Sequence, residues 1–204
     1  MALTKKAEKT RSRLLESARR LISERGFDHV SVEDITKDSG VAKGTFYHYF
    51  ECKEEVVAEL SFQSIQTIIK KAIDYDGDVR ERCLYYFIEL YKDASWSGVR
   101  LVRQWMKETM EAETPGPVIP IKHASIKLPR GYGIRNTVMD IFVTGLGKGK
   151  GELRADAPLD MLSKLLMSHF FGVLTIWCMM NGEWDIVADA DVYAKTDIDN
   201  LLGA

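Results

Sequence analysis

The reading turns on residues 31–53, SVEDITKDSGVAKGTFYHYFECK. Ser31-Val-Glu-Asp34 has the form of a variant capping box that opens a helix, and Gly40 is a residue type that closes one in the left-handed conformation. Val41 fills a tight turn, and Lys43–Phe50 is long enough for a second short helix. Two short helices joined by such a turn make a helix-turn-helix, whose second helix can lie in a DNA major groove. The same spacing serves an ordinary helical hairpin, so content has to decide. Thr45, Tyr47, His48 and Tyr49 surround only two residues of core type, Phe46 and Phe50. Gly44 costs about 1 kcal/mol of helix propensity relative to Ala, which makes sense where another backbone must come close. Hydroxyls at Thr45 and Tyr47, with Lys43 and Lys53 beside them, are phosphate-contact types.

Upstream, Leu14, Leu15, Ala18, Leu21 and Ile22 form one apolar stripe of a helix over about 5–25, stopped by Gly26. Downstream, 53–73 reads as a long amphipathic helix with Glu54 and Glu55 at its start and Lys70 and Lys71 near its end, as the helix dipole favours. Asp78-x-x-Glu81 is a further capping box. Helices are expected to about Ala94, over 97–111 and over 131–146, then over 159–181 behind Pro158, and finally over 191–202. Four of the five prolines fall in 114–130, which reads as a loop with room for a short helical piece. The Gly-Lys repeats of 145–151 fit no phosphate-binding loop, because no strand precedes them, and read as a turn. The expectation is an all-α chain of about nine helices, a three-helix head over 1–52 and a body over 53–204 joined by the linker helix 53–73.

In this setting residues 10–60 resemble the N-terminal domain of the TetR (tetracycline-repressor) family of transcription regulators. The resemblance is carried by Ala18-x-x-Leu-Ile-x-x-x-Gly-Phe27, the Ser31–Ile35 step, Gly40-Val41, and Lys43-Gly-Thr-Phe-Tyr47 running on to Phe50-x-x-Lys53. A weaker match lies at 149–162, GKGELRADAPLDML, similar to the family's turn into its long eighth helix. The chain departs at Ala42, where the family usually caps the third helix with Ser, and at Thr36 and Ser39. It departs again at Tyr49, with His48 one place before it, where a His before the closing Phe is frequent.

The resemblance implies a homodimer that binds double-stranded DNA at an inverted-repeat operator, with half-sites about 34–36 Å or a little more apart. It implies a body that senses a small apolar or amphipathic effector, most often to release a repressor. Ser31, Lys43, Gly44, Thr45, Tyr47, His48, Tyr49 and Lys53 would then face bases or phosphates.

Composition fits this assignment. With 46% apolar and 28% charged residues the chain is an ordinary globular protein, which excludes low-complexity disorder and collagen-like repeats. Residues 1–50 carry ten basic against seven acidic side chains, and 51–204 carry eighteen against twenty-three, a basic head on an acidic body. Cys52, Cys83 and Cys178 make no C-x-x-C pair, and MALTKKAEKTRSR has no apolar signal segment, so a cytoplasmic protein without structural zinc is expected. Leu165–Met180 is interrupted by polar residues and shorter than the ~20 residues of a bilayer span, so no membrane partner is expected. Cys52 sits near a helix start, a position that can lower a thiol pKa, though a redox role is not expected of it.

In the body, the helix near 159–180 is apolar nearly all round, more than one small chain buries alone. Helices 159–181 and 191–202 are therefore expected to pair with a second copy, as in the resembled family. Tyr86, Trp96, Trp105, Met106, Met139, Phe142, His169 and Trp177 form an aromatic and apolar set that fits a plain core as well as a ligand cavity. His123 reads as a loop residue and His169 as a core histidine. No nucleophile–base pair or metal-ligand spacing is present, so neither catalysis nor a cofactor is expected. Two other readings stay open: a helical-bundle enzyme or carrier using His169 or His123 on an apolar substrate, and an architectural DNA binder without effector.

Overall fold

The computed structural model describes residues 5–111, 118–119, 126–127, 134–146 and 158–202. The turn at 147–151 and His123 lie outside them. Among the described residues the chain is all-α, with α1 Lys5–Arg25, α2 Val32–Ser39, α3 Lys43–Tyr49, α4 Lys53–Asp74, α5 Val79–Ser97 and α6 Val99–Glu111. They are followed by α7 Ile134–Leu146, α8 Leu159–Met179 and α9 Ala190–Leu202. The described part of the proline-rich stretch is extended rather than helical: Val118–Ile119 pairs antiparallel with Ile126–Lys127.

The head closes on α1's stripe. Leu14, Ala18, Leu21 and Ile22 pack with Phe27, Val30, Ile35, Phe46 and Phe50 in one buried cluster. Its core also takes Val56, Val57 and Leu60 from α4 and Leu101 from α6. Both capping boxes form, Ser31 with Asp34 and Asp78 with Glu81. The α2–α3 turn is set by Gly40 at φ +63°, from which the Val41 amide reaches back to Thr36 O at 3.0 Å. A Cβ on Gly40 would meet Arg13 Nη2 at 2.9 Å, and that guanidinium donates to Ser39 O, tying α1 to the turn.

In the body, α5 is central, touching α4, α6, α7 and α9. Its Tyr86, Phe87, Leu90 and Tyr91 meet Phe142 of α7 and Leu166, Phe170, Leu174 and Trp177 of α8 in a second buried cluster. By length and composition α8 reaches the size of a bilayer-crossing helix, contrary to the expectation above, but its Leu166–Phe170–Leu174–Trp177 face is core. Its other face is open, with Met161, Leu165, Ile176 and Met179 exposed. A side chain at Gly172, in the same stripe, would touch nothing within 4 Å.

Candidate nucleic-acid interface

Phe46 and Phe50 are fully buried, with ring centroids 5.7 Å apart. They anchor one side of α3 in the head core and so turn the other side outward. On that side Lys43, Gly44, Tyr47 and His48 are exposed and Thr45 is half-buried. Tyr47 is 46% exposed and is the one large exposed hydrophobic among the described residues of the head. Its ring leans edge-on against Phe46 at 5.4 Å, which steadies the position of its hydroxyl. A Cβ on Gly44 would meet nothing within 4 Å. No protein contact therefore requires a glycine there, and the free room lies outside the molecule.

The remaining residues of the set stand differently. Lys43 is in an exposed ion pair with Glu33 of α2. The Lys43 hydrogen bond holds the Glu33 carboxyl below its ordinary pKa, and the lysine is raised in return. An exposed pair of this kind contributes little and exchanges readily for a phosphate. Ser31 is the N-cap of α2, its hydroxyl accepting from Asp34 N at 3.1 Å and donating to Asp34 Oδ2 at 2.5 Å. Two expectations need correction. Tyr49 is only 9% exposed and belongs to the head core. Lys53 turns inward: its Nζ donates to Phe27 O at 2.6 Å and Val30 O at 2.7 Å and lies over the Phe27 ring. Burial pulls that ammonium below its ordinary pKa, so here it bolts α4 to the loop before α2 and is not presented to a phosphate.

Ala42 begins α3 with no side-chain cap, at a cost of about 1 kcal/mol relative to Ser. Cys52 stands just before α4, yet partial burial pushes its thiol up rather than down. Desolvation therefore outweighs the lowering that a helix start can give.

Trp96 also moves from its expected role. It packs against the head cluster rather than in the body, donating Nε1–H to Ser23 Oγ at 2.9 Å with Arg19 over its ring. Beside it Asp93, bonded to Ser61 and Ser64, is pushed up to about 6 by burial. Ser61 and Ser97 share a hydrogen bond of 2.6 Å, joining α4 to α5. Leu101 enters the head core, while Val99, two residues earlier, lies against the end of α8. That approach needs Gly182 at φ +74°, since a Cβ there would come within 2.7 Å of Val99. Arg103 holds the same end by donating to Cys178 O. The start of α6 thus touches head and body at once, a junction that no local motif announces.

Of the other body residues singled out, Tyr86, Phe142 and Trp177 are buried in the core and Trp105, Met106 and Met139 pack against it. Trp105 stacks on Phe171 at 5.6 Å. His169 is not a core histidine: it is exposed on α8 and bonded to Asp197 of α9 at 2.6 Å. These side chains interlock as core, and a cleft of about 1110 Å³ opens elsewhere, along the second half of α4 with Tyr75 and Tyr85. Among the described residues no group of His, Cys, Asp and Glu has the makings of a metal site.

Residues 14–60, spanning α1 to the first turns of α4, match the family described as bacterial regulatory proteins, tetR family. The chain is 26% identical over 170 residues to the HTH-type transcriptional regulator UidR of Escherichia coli, covering 82% of this chain and 81% of that one. It is 23% identical over 203 residues to the HTH-type transcriptional regulator TtgR of Pseudomonas putida, covering 96% and 92%. Among solved structures it shares its fold with FadR of Thermus thermophilus, a TetR-family repressor in complex with lauroyl-CoA, at 20% identity and a TM-score of 0.54 over 95% and 96% of the two chains. FadR of Bacillus subtilis, in complex with stearoyl-CoA, matches at 18% identity and a TM-score of 0.53 over 94% and 97%. Over residues 14–60 the head thus carries the helix-turn-helix domain of the tetR family of bacterial regulatory proteins, and over most of its length the chain is similar to transcriptional regulators of bacteria.

Proposed function

We propose that this DNA-binding regulator is a cytoplasmic homodimeric repressor. It occupies an inverted-repeat operator and leaves it when a small apolar or amphipathic molecule binds the body. The observation that carries the proposal is the double contact of α6, with Leu101 in the head core and Val99 against Gly182 at the end of α8. A ligand that prefers one setting of α6 and α8 then prefers one placement of the head. The coupling between ligand and DNA is as large as that preference. The acyl-CoA complexes of the two FadR proteins support an amphipathic effector.

Two copies are supported by the open stripe Met161, Leu165, Gly172, Ile176 and Met179, continued by Val192 of α9. An exposed apolar patch of this kind is covered most simply by a symmetry mate. The exposed side of α3 does recognition rather than catalysis, and no cofactor enters the proposal. Selection of bound duplexes from a random pool tests it. The expected product is one inverted repeat with half-site centres about 34–36 Å apart or slightly more. A pool without an enriched motif would overturn it.

A further inference from the structure

Two buried donors of the body have nothing to donate to. Gln66 Nε2 and Arg82 Nη1 are shut off from solvent without a hydrogen-bond partner among the described residues, although buried polar groups are ordinarily paired. Gln66 lines the cleft along α4. Lys70 lies four residues on, so its side chain emerges beside the amide on the same helix face. Lys70 and the neighbouring Lys71 have no ion-pair partner among the described residues, and Asp74 is the one acidic residue of the described lining. The cleft floor is apolar, from Ile69 and Ile73, and its end is a stacked pair of rings, Tyr75 and Tyr85, 5.4 Å apart.

Arg82, which is not in the described lining, acts on the cleft through the end of α4. Fully buried, it donates from Nε to Ala72 O at 3.0 Å and from Nη2 to Ile73 O and to Thr144 Oγ1. Those bonds neutralise the negative end of α4, which would otherwise repel an anion. They also leave a buried positive charge with no carboxylate bonded to it among the described residues. Donors on one side of the cleft and flat apolar surface on the other define the ligand. We propose that this cleft binds an apolar carboxylic acid, its carboxylate at Gln66 and Lys70 and its apolar part over Ile69, Ile73 and the tyrosine pair. The proposal rests on reading the body as the effector-sensing unit, and names the chemical class of the effector.

Displacement of 1-anilinonaphthalene-8-sulfonate from the full chain provides the test, with cinnamate and 4-phenylbutyrate set against their neutral amides. The acids are expected to displace the dye about tenfold better than the amides. Lys70→Gln, at an exposed position, is expected to erase that difference while leaving the amides and the melting temperature unchanged, and Gln66→Leu to act in the same direction. Equal displacement by acids and amides, or acid binding indifferent to both substitutions, would overturn the acid site. The selected operator duplex separates this outcome from failure of the regulator reading. Acids that bind through Lys70 without loosening DNA would sink the effector role and leave the site standing. DNA released by neutral compounds in the Lys70→Gln variant would do the reverse.

Discussion

Head and body obey the same helix-packing rules but leave different things unfinished. In the head, the charged groups that enter the core are answered: Arg11 forks onto Glu59 of α4, Arg13 caps Ser39 O, and Lys53 holds two carbonyls. Among the described residues, all three buried side-chain donors without a partner, those of Gln66, Arg82 and Trp184, belong to the body. So does every large exposed hydrophobic among them except Tyr47. The head is a closed tool with one side turned out. The body is open twice, through a cleft with spare donors and through an apolar stripe on α8. The lesson is that the reading unit satisfies its own polar groups, whereas the body, proposed above as the sensing and pairing unit, leaves donors and apolar surface uncommitted.

The contrast breaks first if the head core is loosened. Phe46→Ala removes a fully buried ring and is expected to cost about 3–5 kcal/mol. Urea unfolding followed by tryptophan fluorescence and by circular dichroism should show the head transition moving alone. A single shifted transition by both probes would mean that head and body are one cooperative unit.

Next comes the junction. The folded-state pKa of Asp93 is raised to about 6, so the carboxyl is best tolerated protonated. The sign follows: Asp93 is no burden below its unfolded pKa near 4, and destabilises increasingly as pH climbs through 6. Asp93→Asn is therefore expected to raise stability at pH 7.5 by up to about 2 kcal/mol, with the gain shrinking toward pH 4.5. Denaturation at the two pH values checks this, and a gain independent of pH would contradict it.

A smaller effect belongs to α3. Ala42→Ser supplies the missing cap and should stabilise the head by about 1 kcal/mol, read as a shift of its unfolding midpoint. Smallest is Glu33→Gln, which frees Lys43 from its exposed partner. Operator affinity measured by anisotropy should rise by no more than about fivefold, and most at low salt. An affinity that falls would make Glu33 part of the interface.

How much of this could be read from the chain alone differs between the two units for the same physical reason. The head is written in local signals: Ser31 with Asp34, Gly40, and the Phe46–Phe50 pair sit within one turn or a few of the structures they set. Helix limits there are met almost residue for residue. Lys53 and Tyr49 resisted because their orientation depends on Phe27, Val30 and the closing of α4 over the head, contacts made far along the chain. In the body, periodicity located the helices but not their neighbours. Trp96 looked like cavity lining until α1 supplied Ser23 and Arg19. His169 looked like a core residue because α8 is apolar on nearly every side. Gln66 and Lys70, ordinary on an amphipathic helix, stand out only when burial leaves the amide without a partner.

The most direct measurement of the account is an anisotropy titration of the selected inverted repeat and of a scrambled duplex with wild type and Tyr47→Ala. Wild type should prefer the repeat by at least about 1000-fold. Tyr47→Ala, which removes an exposed side chain, should keep the melting temperature and weaken the repeat by about tenfold or more. Equal affinity of the two proteins for the repeat, or no preference for it over the scrambled duplex, would contradict a head that reads DNA through the outer side of α3.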